Sequence, residues 1–181
     1  MNELNFRVAT EEHAAQIHQL VETAFRTTDN RKDWTDNLGL VSSFRLHVQE
    51  IIDVITKPDS VMLMATNDQD ILVAAIGTSK RDANYARLFQ LAVDTSQQRG
   101  GVGRQVLEYA EGYCRRIWGV TTIGLDALSC RKSLLSWYLR CGYEMTGETT
   151  PFPREKFEGL ALPDDLCFVE FEKVLGEASA E

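Results

Sequence analysis

Three glycines and two arginines lie within the segment QQRGGVGRQV, residues 97–106, directly before a stretch with helical spacing of apolar residues. The first N–H groups of a helix lack intrahelical partners and the helix dipole is positive there, so a helix start can bind an anion. Glycines let the backbone approach a ligand closely, and Arg99 and Arg104 add positive charge. The segment therefore predicts a phosphate-binding loop, with an ordinary tight turn between strand and helix as the alternative.

Spacing excludes two familiar phosphate-binding motifs at this loop. A P-loop requires Gly-Lys-[Ser/Thr], but Gly103 is followed by Arg104 and Gln105. A dinucleotide-binding GxGxxG pattern that starts at Gly101 requires a glycine at the position of Val106. Neither a nucleoside triphosphate nor a dinucleotide is therefore predicted on the basis of these motifs.

Composition excludes several classes of protein. The chain of 181 residues is 44% hydrophobic and 25% charged, which is typical of one globular domain, and its net charge of −8 argues against nucleic-acid binding. Residues 1–13 do not form a signal peptide and no apolar run is long enough to cross a bilayer, so we expect a cytoplasmic protein. The sequence contains four cysteines, Cys114, Cys130, Cys141 and Cys167. None of them has CxxC or CxxH spacing, so neither a metal site nor a disulfide framework is predicted.

The pattern of apolar residues predicts the elements that position this loop. Strands are expected at 4–10, 60–66, 71–79, 85–94, 120–128, 143–149 and 167–175. Helices are expected after Thr10, from near Ser43 to Pro58, at 101–117 and at 131–142. The turn-rich NDQD between the second and third strands indicates an antiparallel hairpin. The order β-α-α-β-β-β-α-β-α-β-β predicts an α/β domain with a mixed sheet.

Two segments carry a resemblance to a known family. LAVDTSQQRGGVGRQVLEYAE, residues 91–111, resembles the acetyl-CoA-binding segment of the GNAT superfamily of N-acetyltransferases, in which a strand ending L-x-V precedes Gln/Arg-x-x-Gly-x-Gly/Ala and a long helix. That pattern falls on Gln98, Gly101 and Gly103. LLSWYLRCGYEMTGE, residues 134–148, is similar to the family's second segment, Y-x-x-x-G-F/Y, here Tyr138, Gly142 and Tyr143. The tail TGETTPFP…FVEFEKVL is similar to a generic branch of small bacterial and fungal members.

The resemblance covers nearly the whole chain and implies a fold and an activity. It implies one GNAT domain over residues 1–181, with an ordered core of about 3–175, in which a mostly antiparallel sheet of about seven strands is flanked by about four helices. The sheet opens between its fourth and fifth strands, where the pantetheine of coenzyme A enters. The implied reaction is transfer of an acetyl group from acetyl-CoA to a primary amine by direct attack in a ternary complex. Homodimers are common in the family.

The resemblance also implies which residues bind the cofactor. The backbone of Leu91, Ala92 and Val93 would pair with the pantetheine arm like an added strand. The pyrophosphate would lie on the N–H groups of the loop, which are those of Gln98, Arg99, Gly100, Gly101, Val102, Gly103 and Arg104. Ser133 and Tyr138, from the following helix, complete the predicted set.

Acetyl transfer to an amine requires the movement of two protons. The leaving thiolate departs more easily when it is protonated, and Tyr138 occupies the family's general-acid position; the alternative is packing of this residue beside Leu134 and Cys141. The amine must lose a proton because an alkylamine has a pKa near ~10. Some family members carry a glutamate on the fourth strand, where this chain reads Leu88-Phe89-Gln90. The resemblance therefore makes Asp126, near the end of the fifth strand, the candidate general base, with a solvated strand end or a helix-capping aspartate as the alternative.

Recognition of the acceptor is expected to come from loops outside the two family-like segments. Trp34, Phe44 and His47 are candidates to line an acceptor pocket, and Phe152 in the segment PFPREKF could close its other side. Arg131 stands where many relatives have asparagine, and the missing fourth-strand carboxylate is a second departure. Both departures keep open a catalytically silent acyl-CoA-binding or sensor module. The acceptor is expected to be a small molecule or a peptide with a free amine, and no metal site is predicted.

Overall fold

A computed structural model describes residues 3–26, 39–40, 45–98 and 100–176. Within these residues the strands are β1 (Asn5–Val8), β2 (Ser60–Thr66), β3 (Leu72–Lys80), β4 (Tyr85–Val93), β5 (Thr122–Leu128), β6 (Glu144–Pro151) and β7 (Cys167–Val174). The α-helices are α1 (Ala14–Arg26), α2 (Val48–Thr56), α3 (Val102–Trp118) and α4 (Lys132–Arg140).

The strands form one seven-stranded sheet in the order β1-β2-β3-β4-β5-β7-β6. Every neighbouring pair is antiparallel except β4 and β5, which are parallel. The predicted hairpin of β2 and β3 is present, with Leu63 opposite Ile76. The predicted mixed, mostly antiparallel sheet flanked by helices is confirmed.

The central strands are apolar on both sides because helices cover both faces of the sheet. Alternate residues of a strand face opposite sides, so Leu63 of β2 packs with α3 residues such as Val106, whereas Met62 packs with Ile17 of α1 and Ile51 of α2. Both cores contain fully buried side chains. The helices that follow β4 and β5 therefore lie on the face opposite α1 and α2.

Helix α2 begins later than the sequence pattern predicted. We expected a start near Ser43, but Arg45–His47 are not helical and the first helical residue is Val48. The His47 backbone is extended, with φ −98° and ψ 143°, and its N–H donates to Glu50 Oε1 at 3.0 Å. A glutamate that satisfies the N–H at the helix start favours this position as the N-cap. Phe44 lies outside the described residues.

The parallel strands β4 and β5 pair over only part of their lengths. The pairs are Tyr85–Thr122, Ala86–Ile123 and Arg87–Gly124, and β4 continues to Val93 without β5 beside it. A bulge lies in the unpaired part, where the β3 partners shift between Ala75 and Gly77. Gln90 has φ +51° at this bulge, a conformation that costs a non-glycine residue about 1 kcal/mol or more. Because bulges increase local twist, β4 turns away from β5 after Arg87.

Candidate functional site

A cavity of about 550 Å³ lies against the part of β4 that has no β5 partner. Its walls come from the end of α1, the end of β4, the start of α3 and one face of α4. The lining residues predicted from the sequence are Leu91, Val93, Gln98, Gly101, Gly103, Arg104 and Ser133. The fold thus brings residues that are distant in the sequence to one cavity.

The end of β4 offers an open backbone edge to this cavity. On its other edge β4 pairs with β3, through Val93–Ala74 and Ala92–Ala75. Ala92 is buried in the core beneath α1, whereas Leu91 and Val93 pack partly against the core beneath α3 and also line the cavity. The polar backbone groups on the open edge can hydrogen bond to an extended, amide-containing ligand as a further strand would.

The glycine loop ends in a helix start whose first N–H groups have no partner among the described residues. Gly101 adopts a left-handed conformation, φ 80° and ψ 0°, immediately before α3. The first hydrogen bond of the helix joins Gln105 N to Gly101 O, at 3.2 Å, and no side chain among the described residues caps this end. The N–H groups of Val102, Gly103 and Arg104 precede that bond, so they are available to an anion.

Gly103 leaves space where another residue would place a side chain. A Cβ atom there would lie 3.6 Å from Trp137 Cζ2 and 3.7 Å from Val93 Cγ2, which is ordinary contact rather than overlap. Protein packing therefore does not require a glycine at this position. A glycine here keeps the backbone open toward the cavity, which allows a ligand to approach it closely.

The polar side chains of the loop are largely engaged with the protein. Gln98 Nε2 donates to Val93 O at 3.3 Å, and Arg104 Nη2 donates to Arg140 O at 2.7 Å. Arg104 thus supplies charge beside the cavity while its guanidinium holds the end of α4. Gly100 is exposed next to the loop, and Arg99 lies outside the described residues.

Sequence reasoning missed several cavity residues on α1 and α4. Ala24 and Phe25 close the cavity from α1, and Leu134, Trp137 and Arg140 join Ser133 on α4. Residues three, four and seven positions apart share a face of a helix. That spacing in KSLLSWYLR, once Ser133 was assigned, was a signal that could have identified Trp137 and Arg140.

Tyr138 is buried beside the cavity rather than forming part of its lining. Its ring packs against Trp137, Tyr143 and Phe171, with centroids 5.1, 5.9 and 5.7 Å away, and only 7% of the residue is exposed. The pKa of Tyr138 is raised to about 12, mainly by burial, with the Arg131 charge lowering it and the nearby Asp126 charge raising it. The hydroxyl is therefore protonated at neutral pH, the form that a general acid requires.

Asp126 takes part in an ion-pair cluster on the sheet face opposite α3 and α4. Arg87 Nη2 donates to Asp126 Oδ2 at 2.6 Å, and Arg87 Nη1 donates to Glu170 Oε2 at 2.8 Å. Burial raises the pKa of Asp126 above the usual aspartate value, the Arg87 charge opposes this rise and the Glu170 charge adds to it. The sequence alone did not identify Arg87 or Glu170, because their proximity to Asp126 depends on strand register.

Two of the predicted acceptor residues, His47 and Phe152, are among the described residues. His47 is exposed at the start of α2, and Phe152 is buried among loop residues, with its ring 5.0 Å from that of Phe157. Neither lines the cavity beside β4. Trp34 and Phe44 lie outside the described residues. The acceptor pocket predicted from these side chains stays a prediction.

The described residues contain no group of three or more His, Cys, Asp or Glu side chains arranged to hold a metal ion. No helix within those residues is both long and apolar enough to cross a membrane.

Comparison with known proteins agrees with the geometry of the loop and sheet. The model of the acetyltransferase (GNAT) family matches residues 15–143, which is more than half of the chain and includes the glycine loop and Tyr138. No curated protein matches the sequence at a significant level.

Solved structures resemble the chain in fold over almost its full length. An acetyltransferase of the GNAT family from Staphylococcus aureus is 15% identical with a TM-score of 0.64, covering 96% of this chain and 99% of its own. The IAA acetyltransferase from Bacillus cereus is 12% identical, with a TM-score of 0.67 and coverage of 96% and 100%. The spermidine N-acetyltransferase from Vibrio cholerae, in complex with CoA and spermine, is 11% identical with a TM-score of 0.68 and covers 96% of each chain.

Proposed function

Because the chain belongs to the acetyltransferase (GNAT) family, we propose that it transfers an acetyl group from acetyl-CoA to a primary amine by direct attack in a ternary complex. The donor would occupy the cavity beside β4. Tyr138 would act as general acid and Asp126 as general base. The acceptor would be a small molecule or a peptide with a free amine.

The donor site is supported by three features of the cavity that fit different parts of coenzyme A. The open edge of β4 at Leu91–Val93 offers backbone groups to the amides of pantetheine. The first N–H groups of α3 suit a pyrophosphate. The space at Gly103 allows that group to approach the backbone. The combination of a strand edge and a helix start in one cavity is the observation that carries the proposal.

The chemistry assigned to the protein's residues concerns protons. When bound, acetyl-CoA supplies the acyl group, whose carbon forms a bond to the amine nitrogen as its bond to sulfur breaks. Asp126 would accept the proton that the amine nitrogen loses, directly or through water, and its raised pKa favours this role. Tyr138 would donate its hydroxyl proton to the departing sulfur. Backbone N–H groups beside the bulge of β4 are the candidates to polarise the acyl carbonyl.

The test is turnover with a chosen set of amines. Purified full-length protein is incubated with acetyl-CoA and, separately, with spermidine, lysine and a short peptide with a free N-terminus, and free thiol is measured over time. We expect amine-dependent thiol release with at least one of them. The control is a Gly101→Val variant, in which valine is strained at the left-handed position of Gly101. Damage to the donor site in this variant should reduce thiol release.

The second candidate is the catalytically silent acyl-CoA-binding module. The engagement of Asp126 with Arg87 is the observation that favours it, because a carboxylate in an ion pair is a weaker base than a free one. Calorimetric binding of acetyl-CoA without thiol release on any amine would support this module and overturn the transferase proposal.

A further inference from the structure

Three charged side chains from three strands form a linked cluster at the end of the β4–β5 pairing. Arg87 of β4 binds Asp126 of β5 at 2.6 Å and Glu170 of β7 at 2.8 Å. Asp126 and Glu170 are directly opposite each other in the β5–β7 register. Like charges at such positions repel, and the guanidinium that binds both carboxylates offsets this repulsion.

The two carboxylates differ in what remains available to a ligand. Glu170 uses both oxygens, since Oε2 binds Arg87 and Oε1 accepts a hydrogen bond from Thr150 Oγ1 at 2.7 Å. Its side chain is 15% exposed, against 40% for Asp126. Asp126 Oδ2 is held by Arg87, and Oδ1 has no protein partner within the described part of the chain. Asp126 is therefore the member of the cluster that keeps one carboxylate oxygen available to a ligand.

The backbone provides room for this arrangement. Arg87 pairs with Gly124 across the β4–β5 ladder, and a Cβ at Gly124 would overlap the hydroxyl of Tyr85. Because Gly124 has no side chain, Tyr85 and Arg87 can lie across β5. There Arg87 Nη1 is 3.4 Å from the Tyr85 hydroxyl. Tyr85 and Glu170 thus hold Nη1 of the guanidinium, while its Nη2 binds Asp126.

We propose that Arg87 is a positioning residue for the acetyl transfer: anchored by Glu170 and Tyr85, it holds Oδ2 of Asp126 and leaves Oδ1 to accept the proton of the acceptor amine. This inference rests on the proposed function, because it assigns Asp126 as the base. Arg87 does not itself contact the reacting atoms in this scheme. Glu170 anchors the guanidinium and does not serve as a second base.

Several charged and titratable groups lie around Asp126, and a measurement of its pKa must separate their effects. Arg87 of β4, Glu170 of β7 and Tyr138 of α4 interact electrostatically with Asp126. Tyr85 and Glu172 belong to the same charged surroundings, since Tyr85 interacts with Arg87, Glu172 and Glu170. Removal of the Arg87 charge raises the pKa of Asp126, whereas removal of the Glu170 charge lowers it. The two substitutions therefore move the titration in opposite directions, which a loss of packing would not do.

The first measurement needs no turnover. The carboxyl carbon of Asp126 is titrated by NMR in the full-length wild type, in Arg87→Met, in Glu170→Gln and in the control Arg81→Met, which removes the same charge at an exposed turn. We expect the midpoint to move to higher pH in Arg87→Met, to lower pH in Glu170→Gln, and not at all in Arg81→Met. An unmoved midpoint in a folded Arg87→Met variant overturns the proposal.

The second measurement is a double-mutant cycle with acetyl-CoA and the best amine among spermidine, lysine and the short peptide. We expect Arg87→Met to lower kcat about tenfold, the effect of losing one charge-assisted hydrogen bond, with KM for acetyl-CoA unchanged. In an Asp126→Asn background the same substitution should lower kcat no further, because Arg87 acts through Asp126. Arg87→Lys should recover part of the rate, since it restores the charge without the two-pronged geometry.

The outcomes separate the two proposals. Additive losses in the cycle mean that Arg87 acts independently of Asp126, and they overturn the positioning role while the transferase stands. A wild type that releases no thiol with any amine overturns the proposed function and with it the role assigned to Arg87. An active wild type with a non-additive cycle and opposed NMR shifts supports both.

Discussion

Arg104, in the first turn of α3, donates a hydrogen bond of 2.7 Å to the backbone carbonyl of Arg140, the last residue of α4. The terminal carbonyls of a helix lack intrahelical donors, so a guanidinium there satisfies an acceptor and suits the negative end of the helix dipole. The same contact joins the helix that carries the glycine loop to the helix that carries Tyr138. The two walls of the cavity are thereby linked through one side chain.

We expect Arg104→Ala to lower the free energy of unfolding by about 1 kcal/mol, because the hydrogen bond is exposed to solvent. The affinity for acetyl-CoA should fall as well, since positive charge beside the loop and the link between the walls are lost together. Denaturant unfolding and calorimetry with acetyl-CoA measure the two effects. Arg115→Ala is the matched control, an exposed arginine at the far end of α3, and an equal loss of affinity in that variant would contradict a specific role for Arg104.

Gly103→Ala should separate ligand binding from stability. The added Cβ meets Trp137 and Val93 at ordinary contact distances, so the free energy of unfolding should change by less than about 0.5 kcal/mol. The methyl group occupies the space that a pyrophosphate would need, so the affinity for acetyl-CoA should fall at least about tenfold, which corresponds to about 1.4 kcal/mol. Gly112→Ala, in the same helix and away from the cavity, should leave that affinity unchanged. An unaltered affinity in Gly103→Ala would remove the loop from the donor site.

Tyr138→Phe tests the general acid. The ring contacts with Tyr143 and Phe171 are kept, so stability and acetyl-CoA affinity should be retained. We expect kcat to fall about 100-fold, the lower end of what a positioned acid contributes. Tyr113→Phe, a partly buried tyrosine of α3 that contacts Trp118, is the control and should keep the wild-type rate. A wild-type kcat in Tyr138→Phe would leave the hydroxyl without a catalytic role.

The pH dependence gives a separate check on Tyr138. An acid must be protonated to act, and its contribution is lost only as the pH rises through its pKa, which burial raises to about 12. We therefore expect no fall in kcat attributable to Tyr138 between pH 7 and pH 10, values that lie below this pKa. A fall in that interval that disappears in Tyr138→Phe would mean that the hydroxyl ionises at lower pH than its burial implies.

A largely buried ion pair connects α3 to strand β7. Glu111 accepts hydrogen bonds from the Tyr143 hydroxyl at 2.9 Å and from Lys173 Nζ at 2.8 Å, and Lys173 also donates to Cys141 O at 3.0 Å. Glu111→Leu should lower the free energy of unfolding by about 3 kcal/mol, because Lys173 loses its counter-ion in a partly buried position. Adding Lys173→Met should recover part of that loss, since no charge is then left unpaired. A double variant less stable than Glu111→Leu, in denaturant unfolding, would contradict this explanation.

Local sequence patterns were sufficient to predict most of the helices and strands, because alternation and helical spacing are set by residues close together in the chain. The run SVMLMAT predicted β2, and Gly119 and Gly142 stand just beyond α3 and α4 as the pattern of C-terminal glycines suggests. The start of α2 was predicted wrongly, because a reciprocal contact between His47 and Glu50 outweighed the apolar pattern that favoured an earlier start. The spacing of apolar residues does not predict such capping contacts, because polar groups form them.

The sequence by itself determined the glycine loop, the helix that follows it and the resemblance that led to the family, since these depend on residue types at fixed short spacings. Tertiary structure alone decided that β4 and β5 part after Arg87, that Trp137 and Gly103 face one cavity, and that Arg87, Asp126 and Glu170 meet. Those relations depend on strand register, and a shift by one residue would turn each side chain to the opposite face of the sheet. Register is fixed by the packing of the whole sheet between its helices, and no short segment contains that information.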